Sequence, residues 1–305
     1  MAGGVGCHLL REVFGQPDDW SGVVSRVAEF AGALPRPGVR TAVVGCGTSF
    51  YMAQAYAALR ERAGLGETDA FAASEHRLGR GYDAVLVISR SGTTTEVIEI
   101  LKSLRERGVR TSAIVATDGT PVTRLADQVI LLSEVDESSV VQTRFATSAL
   151  ALLRASLGED LTGAVADVAA VLAEEEQALA GLVDAGQITF LGSGWTVGLA
   201  EEAALKLRES AQCWTESYPA MEYRHGPISV AEPGRVTWAL GAVPDGLAEQ
   251  VRATGARFEH RDIDPMAELV RVHRLCLAKA ARAGLDPDRP RHLTRSVILD
   301  PSAGR

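Results

Sequence analysis

Five hydroxyl side chains crowd the end of one apolar run. Val85-Leu86-Val87-Ile88 runs straight into Ser89-Arg90-Ser91-Gly92-Thr93-Thr94-Thr95-Glu96, ahead of a helical pattern over residues 96–107. A buried strand has no need of such an ending. An anion at a helix N-terminus does, because it wants short donors, free backbone N–H groups and a glycine that lets the backbone approach. The chemistry implied is phosphate binding. The competing reading is a Ser/Thr turn that only caps the helix. The strand before and the helix after, in an α/β pattern that binds ligands at strand C-terminal ends, favour the cradle.

A second group lies more than a hundred residues later. Glu202, Lys206 and Glu209 stand at i, i+4 and i+7, on one face of a helical pattern. Such spacing serves a solvated salt-bridge ladder. The alanines between these residues also suit a closely packed helix, on which a carboxylate beside an ammonium is a proton-transfer pair. Beyond it, residues 216–227 form an irregular segment with two acids, an arginine and His225 between turn-formers. Histidine titrates near neutrality, so His225 can move a proton there, or it is a solvent-facing loop residue. His8, His76, His260, His273 and His292 lack comparable surroundings.

These groups need elements to hold them. Periodicity predicts a capped helix over 18–30, ending before Pro35 and Pro37. Strands follow at 41–44, 68–72, 84–88, 111–116 and 128–132, alternating with helices, which is the pattern of a doubly wound parallel sheet. From 142–157 and 161–183 the pattern turns helical, and the domain junction falls there. Strands then recur at 188–191, 236–241 and 256–261, with a helix over 266–283. The opening Val43-Val44-Gly45-Cys46-Gly47 and the later Phe190-Leu191-Gly192-Ser193-Gly194 lead into helices ending in similar Leu/Arg/Glu runs. The chain reads as an internal duplication. The copies differ at the cradle: after 236–241 comes Ala242-Val243-Pro244-Asp245-Gly246, with no hydroxyl cluster, which predicts one anion site, in the first half. The division expected is an N-terminal helical segment (1–36), a first domain with the phosphate site (37–158), a second domain (159–286) and a C-terminal tail (287–305).

At 305 residues and a net charge of −8, without a basic block, the chain is not built for nucleic acid or an anionic membrane. Four cysteines without paired spacing suit buried thiols of a reducing compartment, hence the cytoplasm. No run of eighteen apolar residues and no leader pattern is present. No metal-ligand spacing and no full nucleotide fingerprint occurs, so neither a metal nor a cofactor is expected.

Together the pieces resemble the sugar isomerase (SIS) domain family, in particular the paired-domain isomerase half of glucosamine-6-phosphate synthase and related amino-sugar-phosphate isomerases and deaminases. The resemblance covers nearly the whole chain. It is carried by Arg11-Glu12 through Gln16-Pro17, Cys46-Gly47-Thr48-Ser49, Ser89-Arg90-Ser91-Gly92-Thr93-Thr94, Ala204-Leu205-Lys206-Leu207-Arg208-Glu209, His225-Gly226-Pro227 and Pro290-Arg291-His292-Leu293-Thr294-Arg295-Ser296-Val297. It implies two tandem doubly wound, flavodoxin-like α/β domains. It implies a sugar 6-phosphate bound through Ser49, Ser89, Ser91 and Thr94, with Arg90 nearby and Glu202 and Arg295 as further substrate contacts. Glu209 would move a proton between C1 and C2, Lys206 would assist at the hydroxyls, and His225 would open the ring from a neighbouring subunit. A homodimer with a shared site follows, with the tail closing over the sugar. Two departures stand out. The chain begins where the isomerase half begins, so glutaminase activity is not expected. Arg295 replaces a lysine of the synthase pattern, and a guanidinium cannot lose its proton to form an imine with a ketose. The reactions compatible with this reading are aldose/ketose isomerisation or deamination of glucosamine 6-phosphate or its N-acetyl form. A lyase or dehydratase sharing the same base is the alternative, and a non-catalytic sugar-phosphate sensor a third.

Overall fold

The computed structural model describes residues 6–299, so residues 1–5 and 300–305 of the expected N-terminal segment and tail lie outside the described residues. In chain order come helices α1 (Cys7–Phe14) and α2 (Gln16–Ser25), strand β1 (Thr41–Gly45), α3 (Thr48–Arg62), β2 (Thr68–Ala72), β3 (Ala84–Ile88), α4 (Thr95–Glu106), β4 (Arg110–Val115), α5 (Pro121–Leu125), β5 (Gln128–Leu131) and α6 (Arg144–Ser156). Then follow α7 (Thr162–Ala173), α8 (Ala180–Val183), β6 (Gln187–Gly192), α9 (Thr196–Ala211), β7 (Thr215–Pro219), β8 (Arg235–Leu240), α10 (Leu247–Ala253), β9 (Arg257–Glu259) and α11 (Pro265–Ala283).

The chain forms two compact units, one holding residues 22–137, 144–159 and 294–299, the other residues 6–21, 138–143 and 160–293. The first contains a five-stranded sheet in the order β2-β1-β3-β4-β5, with every pairing parallel. Its central strands are buried on both faces, which is why 84–88 reads as an unbroken apolar run. Val44, Val85, Val87, Leu101 and Val115 lie in one core cluster with the apolar face of α4. The second unit repeats the order as β7-β6-β8-β9, again parallel throughout, one strand shorter. The fold is thus the α/β doubly wound arrangement, used twice.

The duplicated glycines have a steric cause. A Cβ on Gly45 would lie 2.5 Å from the Ser49 carbonyl carbon, and one on Gly192 would lie 2.2 Å from the Thr196 carbonyl oxygen. In each copy the first strand passes so close to the helix that follows it that only hydrogen fits.

Two segments differ from the sequence expectation. The helix expected over 18–30 is α2, which ends at Ser25 and is followed by a separate 3-10 turn, Val27–Phe30, and a further helix, α1, precedes it. The buried face of α1 is Leu9, Glu12 and Val13, and a charge in that stripe hides its apolar period. Residues 216–219, read as the start of an irregular segment, belong to strand β7 (Thr215–Pro219). It is an edge strand pairing only with β6, so its polar Thr215-Glu216-Ser217 need not be buried on both faces.

Candidate functional site

In the five-stranded unit the hydroxyl run turns from β3 into α4. The sheet register continues one step past β3: the Ser89 N–H bonds the Ile114 carbonyl at 3.0 Å, and the Arg90 carbonyl accepts from the Ala116 N–H at 3.0 Å. The chain then reverses at Gly92, whose φ is +63°. A Cβ there would sit 2.2 Å from Thr120 Oγ1, so conformation and space both demand glycine. Ser91 Oγ accepts from the Thr93 N–H at 3.3 Å. Thr94 is the N-cap of α4, yet its side chain makes no capping bond. A Ser/Thr turn serving only to cap the helix would use that hydroxyl. Ser49, in the first turn of α3, is buried like Ser89, Arg90 and Ser91.

Arg90 does not stand as an open cation. Its guanidinium pairs with Glu137 at 3.1 Å, the two side chains being 3% and 0% exposed, and donates to the Arg295 carbonyl at 3.2 Å. The guanidinium of Arg295 is itself bonded to the Asp136 carboxylate and the Glu137 carbonyl. Arg90 therefore joins the cradle, the loop after β5 and the C-terminal tail.

In the four-stranded unit Glu202, Lys206 and Glu209 lie along α9. Lys206 Nζ is 3.6 Å from a Glu202 oxygen and 2.5 Å from Glu209 Oε2. Exposure separates their roles: Lys206 is 1% exposed and Glu202 2%, whereas the Glu209 side chain is 20% exposed. This is no solvated ladder. A buried ammonium costs several kcal/mol to desolvate and persists by pairing with both carboxylates, and of the three only Glu209 reaches water.

Sequence reasoning passed over two neighbours of this helix's unit. His273, on α11, which packs against α9, is buried with Nδ1 3.2 Å from Gln16 Nε2. Burial, and then the charge of Lys206, push its pKa down to about 3, so it stays neutral beside that ammonium. Cys276, one turn on, has its thiol pushed up to about 12 by burial and is no nucleophile. Glu12 is the other. Its buried carboxylate accepts the N–H groups of Ser138 at 2.6 Å and Ser139 at 3.1 Å, and the Ser139 hydroxyl. The signal for Glu12 was an acid placed between Leu9 and Val13 on an otherwise apolar face.

His225 ends a short 3-10 turn, Glu222–His225, and is exposed. Its neighbours fix the backbone: the Tyr223 hydroxyl meets Thr237 at 3.1 Å and Arg224 Nε donates to Gln250 at 2.7 Å. Within this unit His225 makes no hydrogen bond or ion pair with Lys206 or Glu209 among the described residues.

Cys7, His8 and Asp288 bring metal-type ligands within 4.8 Å of one another. Asp288 is spent as a cap, accepting the His8 N–H at 3.0 Å and the Leu9 N–H at 2.8 Å. Arg11 lies 3.0 Å from His8 Nδ1. A cation placed there would meet a guanidinium and the positive end of α1, so the cluster does not fit a metal. The four cysteines are free thiols, and no described helix is long and apolar enough to cross a membrane.

Comparison with known proteins agrees with this architecture. Residues 38–157 match the SIS domain. The glutamine–fructose-6-phosphate aminotransferase (isomerizing) of Aeropyrum pernix is 28% identical over 355 aligned positions, which take in 96% of this chain and 57% of the relative. The chain thus spans little more than half that protein's length. Among solved structures, glucosamine-6-phosphate deaminase from Thermotoga maritima superposes with a TM-score of 0.74 at 23% identity, covering 96% of this chain and all of the other. Tagatose-6-phosphate ketose/aldose isomerase from Escherichia coli superposes at 0.80 with 16% identity and 97% of each chain covered. At these identities the likeness is one of fold.

Proposed function

We propose that this chain, whose residues 38–157 match the SIS domain, is an enzyme acting on a hexosamine 6-phosphate, moving a proton between C1 and C2 through Glu209. A sugar phosphate asks two things of a protein: donors for a dianion, and a base for a carbon-bound proton. Ser49, Ser89, Ser91 and Thr94 supply the first in this reading, and Glu209 the second.

The observation that carries the proposal is the buried Lys206 between Glu202 and Glu209, with Glu209 alone reaching solvent. Glu209 removes the C2 proton, and the electron pair becomes the C1–C2 double bond of an enediol or enolamine. Returning the proton to C1 gives a ketose from a hydroxy sugar. From an amino sugar it gives an imine, which water hydrolyses to ketose and ammonia. Lys206 stabilises the negative charge that develops on the sugar oxygens. His225 of the partner subunit opens the ring in a homodimer, Arg295 is the further contact to the sugar, and Glu202, 2% exposed, acts by holding Lys206.

The test is incubation with glucosamine 6-phosphate and, separately, its N-acetyl form, following ammonia, ketose and ultraviolet absorbance. Ammonia with ketose marks a deaminase, and ketose formed from glucose 6-phosphate in a parallel incubation, where C2 carries a hydroxyl and no nitrogen is lost, marks an isomerase. An absorbing unsaturated product marks elimination from the same carbanion. Tight binding without any product would refute the enzyme and leave a sensor.

A further inference from the structure

Within the four-stranded unit, the His273 ring and the Lys206 ammonium share one stretch of packed helix. Both side chains are 1% exposed. Helix α11 packs along α9, and the Cys276 thiol, one turn beyond His273, bonds the Ser210 hydroxyl, one turn beyond Lys206. That contact sets His273 abreast of Lys206, and the charge of Lys206 reaches the ring. A histidine in this place is a hazard to the ammonium. Neutral imidazole carries a nitrogen lone pair that accepts a hydrogen bond, and a buried ammonium offered another acceptor turns toward it, here away from Glu209.

Gln16, itself fully buried, removes that acceptor. Its Nε2 lies 3.2 Å from the Val13 carbonyl and 3.2 Å from His273 Nδ1. A carbonyl only accepts, so the Gln16 atom facing Val13 is the amide nitrogen and not the amide oxygen. That nitrogen has a second hydrogen, which Nδ1 takes with its lone pair. The ring hydrogen is then on Nε2, which is buried and meets no acceptor among the described residues. Whichever edge of the ring faces Lys206, it offers no lone pair. We propose that Gln16 is a positioning residue for Lys206: by capping His273 Nδ1 it closes the ring to the ammonium and leaves Lys206 directed to Glu202 and Glu209. The inference rests on the reading of Glu209 as the base and Lys206 as its charged partner. Gln16 touches no substrate in this scheme. Without its hydrogen, the 2.5 Å contact of Lys206 Nζ with Glu209 Oε2 gains a rival in Nδ1.

Long-range nitrogen–proton NMR correlation in the whole chain reads the tautomer directly. At neutral pH His273 is expected to be uncharged with its hydrogen on Nε2. A hydrogen on Nδ1, or on both nitrogens, would overturn the inference. In a second measurement, Gln16→Met keeps the bulk of the side chain and removes the donor. With glucosamine 6-phosphate, kcat should fall about tenfold while KM stays within about twofold, the split expected of a group that acts in the transition state. Adding His273→Phe, which takes the lone pair away altogether, should return kcat to within about threefold of the parent. A merely structural role predicts no such rescue, because the double variant lacks the Gln16–His273 bond as fully as the single one. Parental kcat in Gln16→Met, or a double variant as slow as the single, would overturn the inference, and an inactive Glu209→Gln protein in the same assay would leave the base assignment standing. A parent without turnover would remove the enzyme reading, and the inference with it.

Discussion

Glu209→Gln separates proton transfer from salt bridging. In the folded protein Lys206 keeps its contact with Glu202 at 3.6 Å, and a glutamine amide oxygen in the place of Oε2 still accepts from the ammonium. What disappears is the charge on that acceptor, and the Glu209 side chain is 20% exposed, so water relieves part of the loss. The ammonium stays ionised, so that bond remains charge-assisted, and what is lost is the ion pairing of a partly exposed carboxylate, up to about 1 kcal/mol. A loss of about 1 kcal/mol corresponds to a fall in melting temperature of roughly 2–4 °C for a domain of about 150–250 residues. Turnover should fall by about 10²–10⁴, the worth of a positioned general base, while phosphosugar binding stays nearly intact. Lys206→Met is the contrasting perturbation. It removes the ammonium 3.6 Å from the interior carboxylate of Glu202, 2% exposed, and breaking a buried ion pair by deleting one partner costs about 3–5 kcal/mol. The assay is exchange of solvent deuterium into C2 of the sugar, with calorimetry for binding and thermal melts for stability. A Glu209→Gln protein that melts far lower yet retains its rate and its deuterium exchange would refute the proton-transfer role.

Replacing Ser89, Ser91 and Thr94 together with alanine should lower phosphosugar affinity by orders of magnitude, each hydroxyl contributing about 1.5–3 kcal/mol toward a charged partner. The circular dichroism spectrum should persist, and unchanged calorimetric binding would end the cradle assignment. His273 should make the fold acid-sensitive. Its folded pKa of about 3 lies below an unfolded value of about 6.5, so the unfolded chain binds the extra proton as pH falls through 6.5, and stability drops by about 1.4 kcal/mol per pH unit down to the folded value. Denaturant midpoints for His273→Gln between pH 7 and 4.5 should therefore slope less than those of the parent, and identical slopes would contradict this. Finally, mixing Glu209→Gln with His225→Ala protein under subunit exchange should recover some activity if the ring-opening histidine crosses between subunits. No recovery in mixed dimers shown to have formed would place His225 elsewhere.

Local order along the chain was legible because its causes are local. Parallel strands buried on both faces must be apolar runs, and the close passages at Gly45 and Gly192 exclude any side chain, so the duplicated architecture is written in neighbouring residues. The cradle is likewise contiguous, one turn between β3 and α4, with glycine demanded at 92. Spacing also put Glu202, Lys206 and Glu209 on one face of a helix. Whether that face meets water or protein depends on what packs against it, and only the tertiary structure decided that Lys206 is interior and Glu209 is not. His273 reaches the neighbourhood of Lys206 from another helix, and Glu12 holds Ser138 and Ser139 across 126 residues and more of chain. Arg295 settles on Asp136, 159 positions away. Desolvation and long-range pairing are properties of the packed molecule, so charges that look solvated in a linear reading become the polar interior of the fold.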